Sequence, residues 1–271
     1  MSFLTVVGHI NVDVVLDVKR IPTFGSEQVR SVDKRLGGTG ANIARFSAAL
    51  STPVTLISRI SRNFPEDLLA QLKGEYIELN LETVDEEGPI CYIVDSGTNQ
   101  IAYMYQGPMN HPGKDYEINT KYCHFATSNP EWILKLMRKS SSINVFDPGQ
   151  EIEYRWKREL LSEALRIADI VVLNEHEFNY LSSFARIDYE KTIVTLGERG
   201  AIYREELIPT ERIGKVSSLG AGDAFRAGLY SALYRGMEMK KAVACANWIA
   251  GIYLRGGISA LREVDWEKDC E

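Results

Sequence analysis

The chain has 271 residues, 45% hydrophobic and 25% charged, with 31 Lys+Arg against 37 Asp+Glu and a net charge of −6. Those proportions belong to an ordinary globular protein and exclude a collagenous or wholly disordered chain. The acidic balance argues against non-specific nucleic-acid binding, which needs basic surface to displace counterions from phosphates.

No stretch approaches the roughly 18 consecutive apolar residues of a membrane-spanning helix. Met1-Ser2-Phe3-Leu4-Thr5-Val6-Val7-Gly8 has no basic region and no cleavage site, and reads as a first strand. Cys91, Cys123, Cys245 and Cys270 lie far apart with no Cys-x-x-Cys pair, so their spacing indicates neither a disulfide framework nor a zinc site. The expectation is a single-domain cytoplasmic protein with structural thiols, binding neither membrane nor nucleic acid.

In chain order, Phe3–Val7 reads as a short buried strand. From Ile10 the pattern is a two-residue alternation, with Ile10, Val12, Val14, Leu16 and Val18 on one side. That strand is half-exposed and places Asn11 and Asp13 together on its polar face. Ala41–Leu50 is helical, with Ile43, Phe46 and Leu50 on one stripe. Val54–Ser58 is a strand, and Pro65–Lys73 opens with proline and continues as a helix. Ile90–Val94 and Ile101–Tyr105 flank the turn formers Asp95-Ser96-Gly97-Thr98-Asn99, which predicts a β-hairpin. Strands then alternate with helices: Tyr122–Ala126, helix Glu131–Lys139, Ile143–Phe146, helix Arg155–Ala168, Ile170–Leu173, helix Glu175–Leu181 and Thr192–Leu196. Helices Ala221–Arg235 and Met239 to about Leu254 close the chain.

Strand–helix repetition predicts an α/β fold, a doubly wound and mostly parallel sheet with helices on both faces. Ligands bind at the carboxyl ends of strands in such sheets. The alternating strand and the hairpin are antiparallel in character and predict a small β-lid, with segments at about 10–36 and 88–110.

Gly220-Ala221-Gly222-Asp223 opens a helix with small residues, so a ligand can approach unpaired backbone amides where the helix dipole favours anions. Asp223 sits in that first turn. It either serves chemistry there or simply stabilises the helix. Gly37-Gly38-Thr39-Gly40-Ala41-Asn42 also precedes a helix. It matches a dinucleotide fingerprint only in part, since Ile43 holds the third glycine position. A phosphate-binding loop of the Walker type is excluded: around Gly214-Lys215, Pro209 replaces the first glycine and Val216 the hydroxyl. Asn174 and Glu177, three apart as a helix begins, either hold a hydrated Mg²⁺ or form a solvated cap. Thr195, Gly197 and Gly200 either cradle phosphates or make a turn.

Taken together and in order, these pieces resemble the ribokinase (PfkB) family of carbohydrate and nucleoside kinases. The resemblance rests on Gly8-x-x-Asn11-x-Asp13, Gly37-Gly38-Thr39-Gly40-Ala41-Asn42-Ile43-Ala44, Asn174-x-x-Glu177, Thr195-x-Gly197-x-x-Gly200 and Gly220-Ala221-Gly222-Asp223. It implies an ATP-dependent phosphotransferase acting on a hydroxymethyl group of a sugar or nucleoside. Asp223 is then the catalytic base, and Gly220, Ala221 and Gly222 supply the anion hole. Asn11, Asp13, Gly38 and Asn42 hold the acceptor. Asn174 and Glu177 organise Mg²⁺ through water, Thr195, Gly197 and Gly200 line the nucleotide site, and Asn247 lies near the base.

The family usually carries Asp-Thr before its Gly-Ala-Gly-Asp, whereas this chain has Ser217-Ser218-Leu219. Loss of that carboxylate argues against monovalent-cation activation. No Lys or Arg occurs from Ile90 to Gly113, which favours an uncharged acceptor, although Lys19, Arg20, Arg30, Lys34 and Arg35 stand in the other lid segment. Tyr92, Tyr103 and Tyr105 either stack on the acceptor or pack the lid against a second copy, giving a homodimer. The competing function is a non-catalytic sugar- or nucleotide-binding protein on the same scaffold.

Overall fold

The computed structural model describes residues 2–211, 213–214 and 219–266. Its strands are β1 (Leu4–Val7), β2 (Asn11–Val18), β3 (Val29–Gly37), β4 (Val54–Ser61), β5 (Ile77–Val84), β6 (Ile90–Asp95) and β7 (Gln100–Tyr105), then β8 (Tyr122–Phe125), β9 (Ile143–Phe146), β10 (Ile170–Asn174), β11 (Thr192–Thr195), β12 (Ala201–Tyr203) and β13 (Glu206–Ile208). The helices are α1 (Thr39–Ala49), α2 (Glu66–Ala70), α3 (Pro130–Lys139), α4 (Ile152–Arg155), α5 (Arg158–Ile167), α6 (Glu175–Ser182), α7 (Ala221–Tyr234) and α8 (Met239–Arg262).

Continuous apolar runs build the centre, because a strand covered on both faces has no polar side. All four residues of β1 and all eight of β4 are buried. They belong to a nine-stranded sheet in the order β13-β12-β11-β10-β9-β8-β1-β4-β5, parallel except at the β11–β12–β13 edge. Two apolar clusters cover its faces. One gathers α1, α7 and α8, the other α3, α5 and α6. The stripe of α1 lies in the first, with Ile43 and Phe46 at 0% and Leu50 at 2% exposure. Each such side chain contributes about 1.5–3 kcal/mol relative to exposure.

A second sheet, in the order β3-β2-β6-β7, stands apart from the first. Its outer pairs are antiparallel as expected, but β2 and β6 run parallel. The chain returns from β2 through the large sheet before entering β6, and that crossover reverses the direction a simple meander would give. The alternation of β2 also faces opposite to a surface strand. Asp13 pairs across to Arg35 and Cys91, and Cys91 to Met104. With Asn11 and Cys91 both buried, this polar side turns inward. The other side carries Val14 beside Tyr92 and Tyr103, and Leu16 beside Val32, Val94 and Ile101. Tyr92, Tyr103, Tyr105, Ile101 and Val32 are all exposed there.

Strands β3, β5, β12 and β13 escaped the sequence reading, although Ile77, Leu79 and Leu81 alternate with polar residues as a half-covered edge should. The expected helix from Arg155 divides at Trp156 into α4 and α5. Helix α8 runs past Leu254 to Arg262 with a break at Gly257, whose φ of 64° is left-handed. Cys91 and Cys123 are free buried thiols. Cys245 is disulfide-bonded, a link that its spacing did not signal. None of the described helices is long and apolar enough to cross a membrane.

Candidate active site

Parallel strands end together, and here their carboxyl ends gather the polar residues. Asp147 follows β9, Asn174 ends β10, Thr195 ends β11, and the turn after β1 carries Gly8 and His9. The amino termini of α1, α6 and α7 open beside them. Helix α1 presses against the β1 turn so closely that a Cβ on Gly40 would lie 2.7 Å from the Gly8 carbonyl carbon. Gly38 caps α1 with φ 97°, and a side chain there would meet the His9 carbonyl oxygen at 2.6 Å. Glycine at both positions lets the helix abut the strand.

Asn42, in the first turns of α1, donates from Nδ2 to Asp223 Oδ2 at 2.7 Å. That one bond joins the acceptor motif to the Gly-Ala-Gly-Asp motif across 181 residues. Gly220 is left-handed, φ 80°, and the first helical bond of α7 runs from Ala224 N to Gly220 O at 2.9 Å. The amides of Ala221, Gly222 and Asp223 therefore stand outside the ladder at the positive end of the dipole. Burial pushes the Asp223 carboxyl up to about 6, against the pull of Arg226, Asn42 and Arg45. Burial does the same to Asp13, also to about 6, opposed by Arg35, Arg45 and Asn11. Asn11 and Asn42 each keep a buried, unpartnered Oδ1.

A network not foreseen from sequence lies beneath α7. Arg226, one turn beyond Asp223, pairs through Nε with Asp147 Oδ2. His124 Nε2 stands 3.3 Å from the same oxygen, and its Nδ1 is 2.7 Å from the Tyr230 hydroxyl. Burial alone would raise the Asp147 carboxyl, but Arg226 and His124 bring it down to about 2. Its Oδ1 remains without a hydrogen bond. The signals were present: Asp147-Pro148-Gly149 ends an apolar strand, and Arg226 is spaced i+3 from Asp223.

On the other side of the α7 tip a crevice of about 900 Å³ is lined by Asn174, Thr195, Gly197, Gly200, Ala221, Gly222 and Asn247. Ile213, Ala250, Gly251 and Leu254 give it an apolar end. Asn247 lines this crevice with its Nδ2 committed to the Ile208 carbonyl at 2.9 Å, so it braces β13 as well as facing the cavity. Three of the sequence motifs thus line one crevice, and the Asn42–Asp223 bond ties the Gly37–Ala44 motif to its α7 edge, while Asn11 and Asp13 do not line it.

The model of the pfkB family of carbohydrate kinases matches residues 1–257. The chain belongs to this family. It is 33% identical over 284 aligned residues to a nucleoside kinase of Thermoplasma acidophilum, which covers 100% of this chain and 96% of that protein. It is 31% identical to a nucleoside kinase of Methanocaldococcus jannaschii, over 89% of this chain and 86% of that protein. The solved structure of the Methanocaldococcus jannaschii enzyme superposes with a TM-score of 0.80 at 25% identity, covering 97% of this chain and 99% of that one. The fold is the ribokinase-like α/β architecture, and the protein is a PfkB-type carbohydrate or nucleoside kinase using ATP.

The resemblance implies Mg²⁺, and the residues at the end of β10 bear on whether this chain could hold it. Asn174 and Glu177 form a closed capping box: Glu177 accepts from Asn174 N and Nδ2, both at 2.8 Å, and Asn174 Oδ1 accepts from Glu177 N at 2.8 Å. Burial, reinforced by the charge on Asp147, pushes Glu177 up to about 7. No cluster of three metal-ligating side chains exists among the described residues. An all-protein cage is therefore not available, and Mg²⁺ needs none, since one or two carboxylates with water and phosphate oxygens hold it. A hydrated ion fits there, because the carboxylates Asp147, Glu177 and Asp223 gather about Arg226. Ser217 and Ser218, which stand where the family carries Asp-Thr, lie outside the described residues.

Proposed function

We propose that this kinase phosphorylates the hydroxymethyl group of a nucleoside, with Asp223 as general base. The observation that carries the reading is the 2.7 Å bond from Asn42 to Asp223, which sets a carboxylate of raised basicity between the acceptor residues and the free amides of α7. A nucleoside is favoured over a free sugar by the relatives, three of which are nucleoside kinases at 28–33% identity.

Asp13 and the unpartnered Oδ1 atoms of Asn11 and Asn42 accept hydrogen bonds from ribose hydroxyls, with Gly38 allowing close approach. The triphosphate lies along Thr195, Gly197 and Gly200 with its end at α7. Asp223 takes the proton as the acceptor oxygen bonds to the γ-phosphorus. The bond from that phosphorus to the β–γ bridging oxygen breaks, and its electron pair leaves with ADP. The amides of Gly220, Ala221, Gly222 and Asp223 bear the charge that spreads over the phosphoryl oxygens. Mg²⁺, held through water by Asn174 and Glu177, supplies charge neutralisation of the phosphates when bound. We also propose that a second copy covers the apolar outer side of the small sheet.

The test is ADP release over a panel of nucleosides, pentoses and hexoses with MgATP, alongside Asp223→Asn. Turnover of a nucleoside by the wild type is expected, with the variant lower by about 10²–10⁴-fold. Thermal stabilisation by nucleosides without any turnover would instead establish a binding protein on this scaffold.

A further inference from the structure

Arg45 lies one turn along α1 from Asn42, so the two share a helix face, and helical side chains lean back toward the amino terminus. Its guanidinium rests 5.0 Å from the Phe46 ring centroid. It is half-buried, yet it makes no ion pair or hydrogen bond with any described residue, and its Nε is buried without a partner. Several arginines near the cleft are committed, Arg226 to Asp147, Arg155 to Glu151, Arg59 to Glu82 and Arg199 to Glu175, whereas Arg35, opposite Asp13 in the small sheet, is like Arg45 without an ion pair among the described residues. The charges of Asp223 and Asp13 both act on Arg45, and Tyr253 packs on the same Phe46 ring with centroids 4.7 Å apart. Tyr253 in turn touches the anion-hole turn, since a Cβ on Gly220 would meet its hydroxyl at 2.6 Å. One helix face thus offers two unsatisfied atoms. Asn42 Oδ1 wants a donor such as a hydroxyl, and Arg45 Nε wants an acceptor such as an anion.

We infer that Arg45 is a further catalytic residue, its guanidinium meeting the oxygens of the phosphoryl group as it passes from ATP to the acceptor hydroxyl. This rests on the proposed kinase reading, with Asp223 taking the hydroxyl proton and ADP leaving with the bond electrons. A guanidinium suits the task because its planar fork bonds two phosphoryl oxygens at once and keeps its charge in a half-dry site. Its place one turn from Asn42, whose Nδ2 holds the Asp223 carboxylate at 2.7 Å, assigns it to the group in flight. An interaction strongest in the transition state lowers kcat when removed and leaves KM little changed.

The experiment compares wild type, Arg45→Gln and Arg45→Lys in steady state with MgATP and the preferred nucleoside, together with their melting temperatures. Arg45→Gln is expected to lose about 100-fold or more in kcat with both KM values nearly unchanged. Arg45→Lys, which keeps the stem over Phe46 and the charge but loses the fork, should fall between the two at an unchanged melting temperature. Millimolar guanidinium should restore part of the Gln variant's rate. A wild-type kcat in folded Arg45→Gln overturns the inference. So does a loss confined to acceptor KM, and so does a wild-type preference for a phosphorylated acceptor that disappears in the variant. If the lysine variant's rate falls only in step with its melting temperature, the arginine is structural and the inference also fails. A wild type that transfers phosphate to no acceptor refutes the kinase reading itself, a result distinct from all of these.

Discussion

At the scale of single residues the site is built from carboxylates kept in unfavourable surroundings. Asp223 and Asp13 both titrate near 6 because burial disfavours their charged forms. A base must be deprotonated to work, so kcat/KM should fall as pH drops through about 6, a limb readable from initial rates between pH 5 and 8. The same shift costs stability. A carboxyl whose pKa is raised on folding penalises the native state above that pKa, where it must ionise, and the penalty fades as pH falls toward the unfolded value. Asp223→Asn is therefore expected to melt a few degrees higher than wild type at pH 7.5, with the gain vanishing near pH 4 by scanning calorimetry. An unchanged melting temperature at both pH values would show that the carboxyl is solvated. Gly37 is a quieter member of the site. A Cβ there would lie 2.2 Å from Asp13 Cγ, so Gly37→Ala must displace that carboxylate. The expected result is a raised acceptor KM with the KM for ATP unaltered.

At the scale of elements, three helix amino termini meet the ends of β1, β10 and the α7 loop, and each is closed differently. His9 takes part of α1, accepting Thr39 N at Nε2 (3.4 Å) and Ala41 N at its carbonyl (3.2 Å). A capping box closes α6, and α7 alone is left open with an uncapped glycine. The crevice is lined by the closed start of α6 and the open start of α7, and only the latter has amides free, which is why a helix start rather than a basic side chain can receive phosphate here. Glu177→Gln keeps a hydrogen-bonding partner for Asn174 but removes a charge. The requirement for Mg²⁺ in turnover should rise while acceptor KM holds, measured by titrating Mg²⁺ at fixed ATP. Much of this element-level plan was legible. Glycines and small residues before helices announced both α1 and α7, and the apolar runs announced the parallel strands. The Asp147–Arg226 pair was not, because its members lie 79 residues apart and only packing brings β9 under α7. Strands β12 and β13 are three residues each, too short for periodicity to show. The alternation in β2 revealed two faces but not which one meets solvent, since that depends on what the rest of the chain places above it.

For the molecule as a whole, that inversion has a consequence. Tyr92, Tyr103 and Tyr105 point away from the side that carries Asp13, so with the acceptor held at Asp13 as proposed they face away from it, and the register favours the alternative of cover by a second copy. Tyr103 is 62% and Val32 59% exposed, in a sheet whose strands β3 and β7 are both free edges. An apolar sheet face of this kind normally finds a partner. A symmetric pair joins the same patch to itself, so a charge placed there meets its own copy. Tyr103→Glu is expected to convert a dimer to a monomer by sedimentation velocity, with the two introduced carboxylates repelling across the axis. Asp13 lies on the opposite side of that sheet and Asp223 lies outside it on α7, so the monomeric variant should retain the proposed base's pH limb near 6. A wild type that sediments as a monomer at micromolar concentration would leave this face without the proposed occupant.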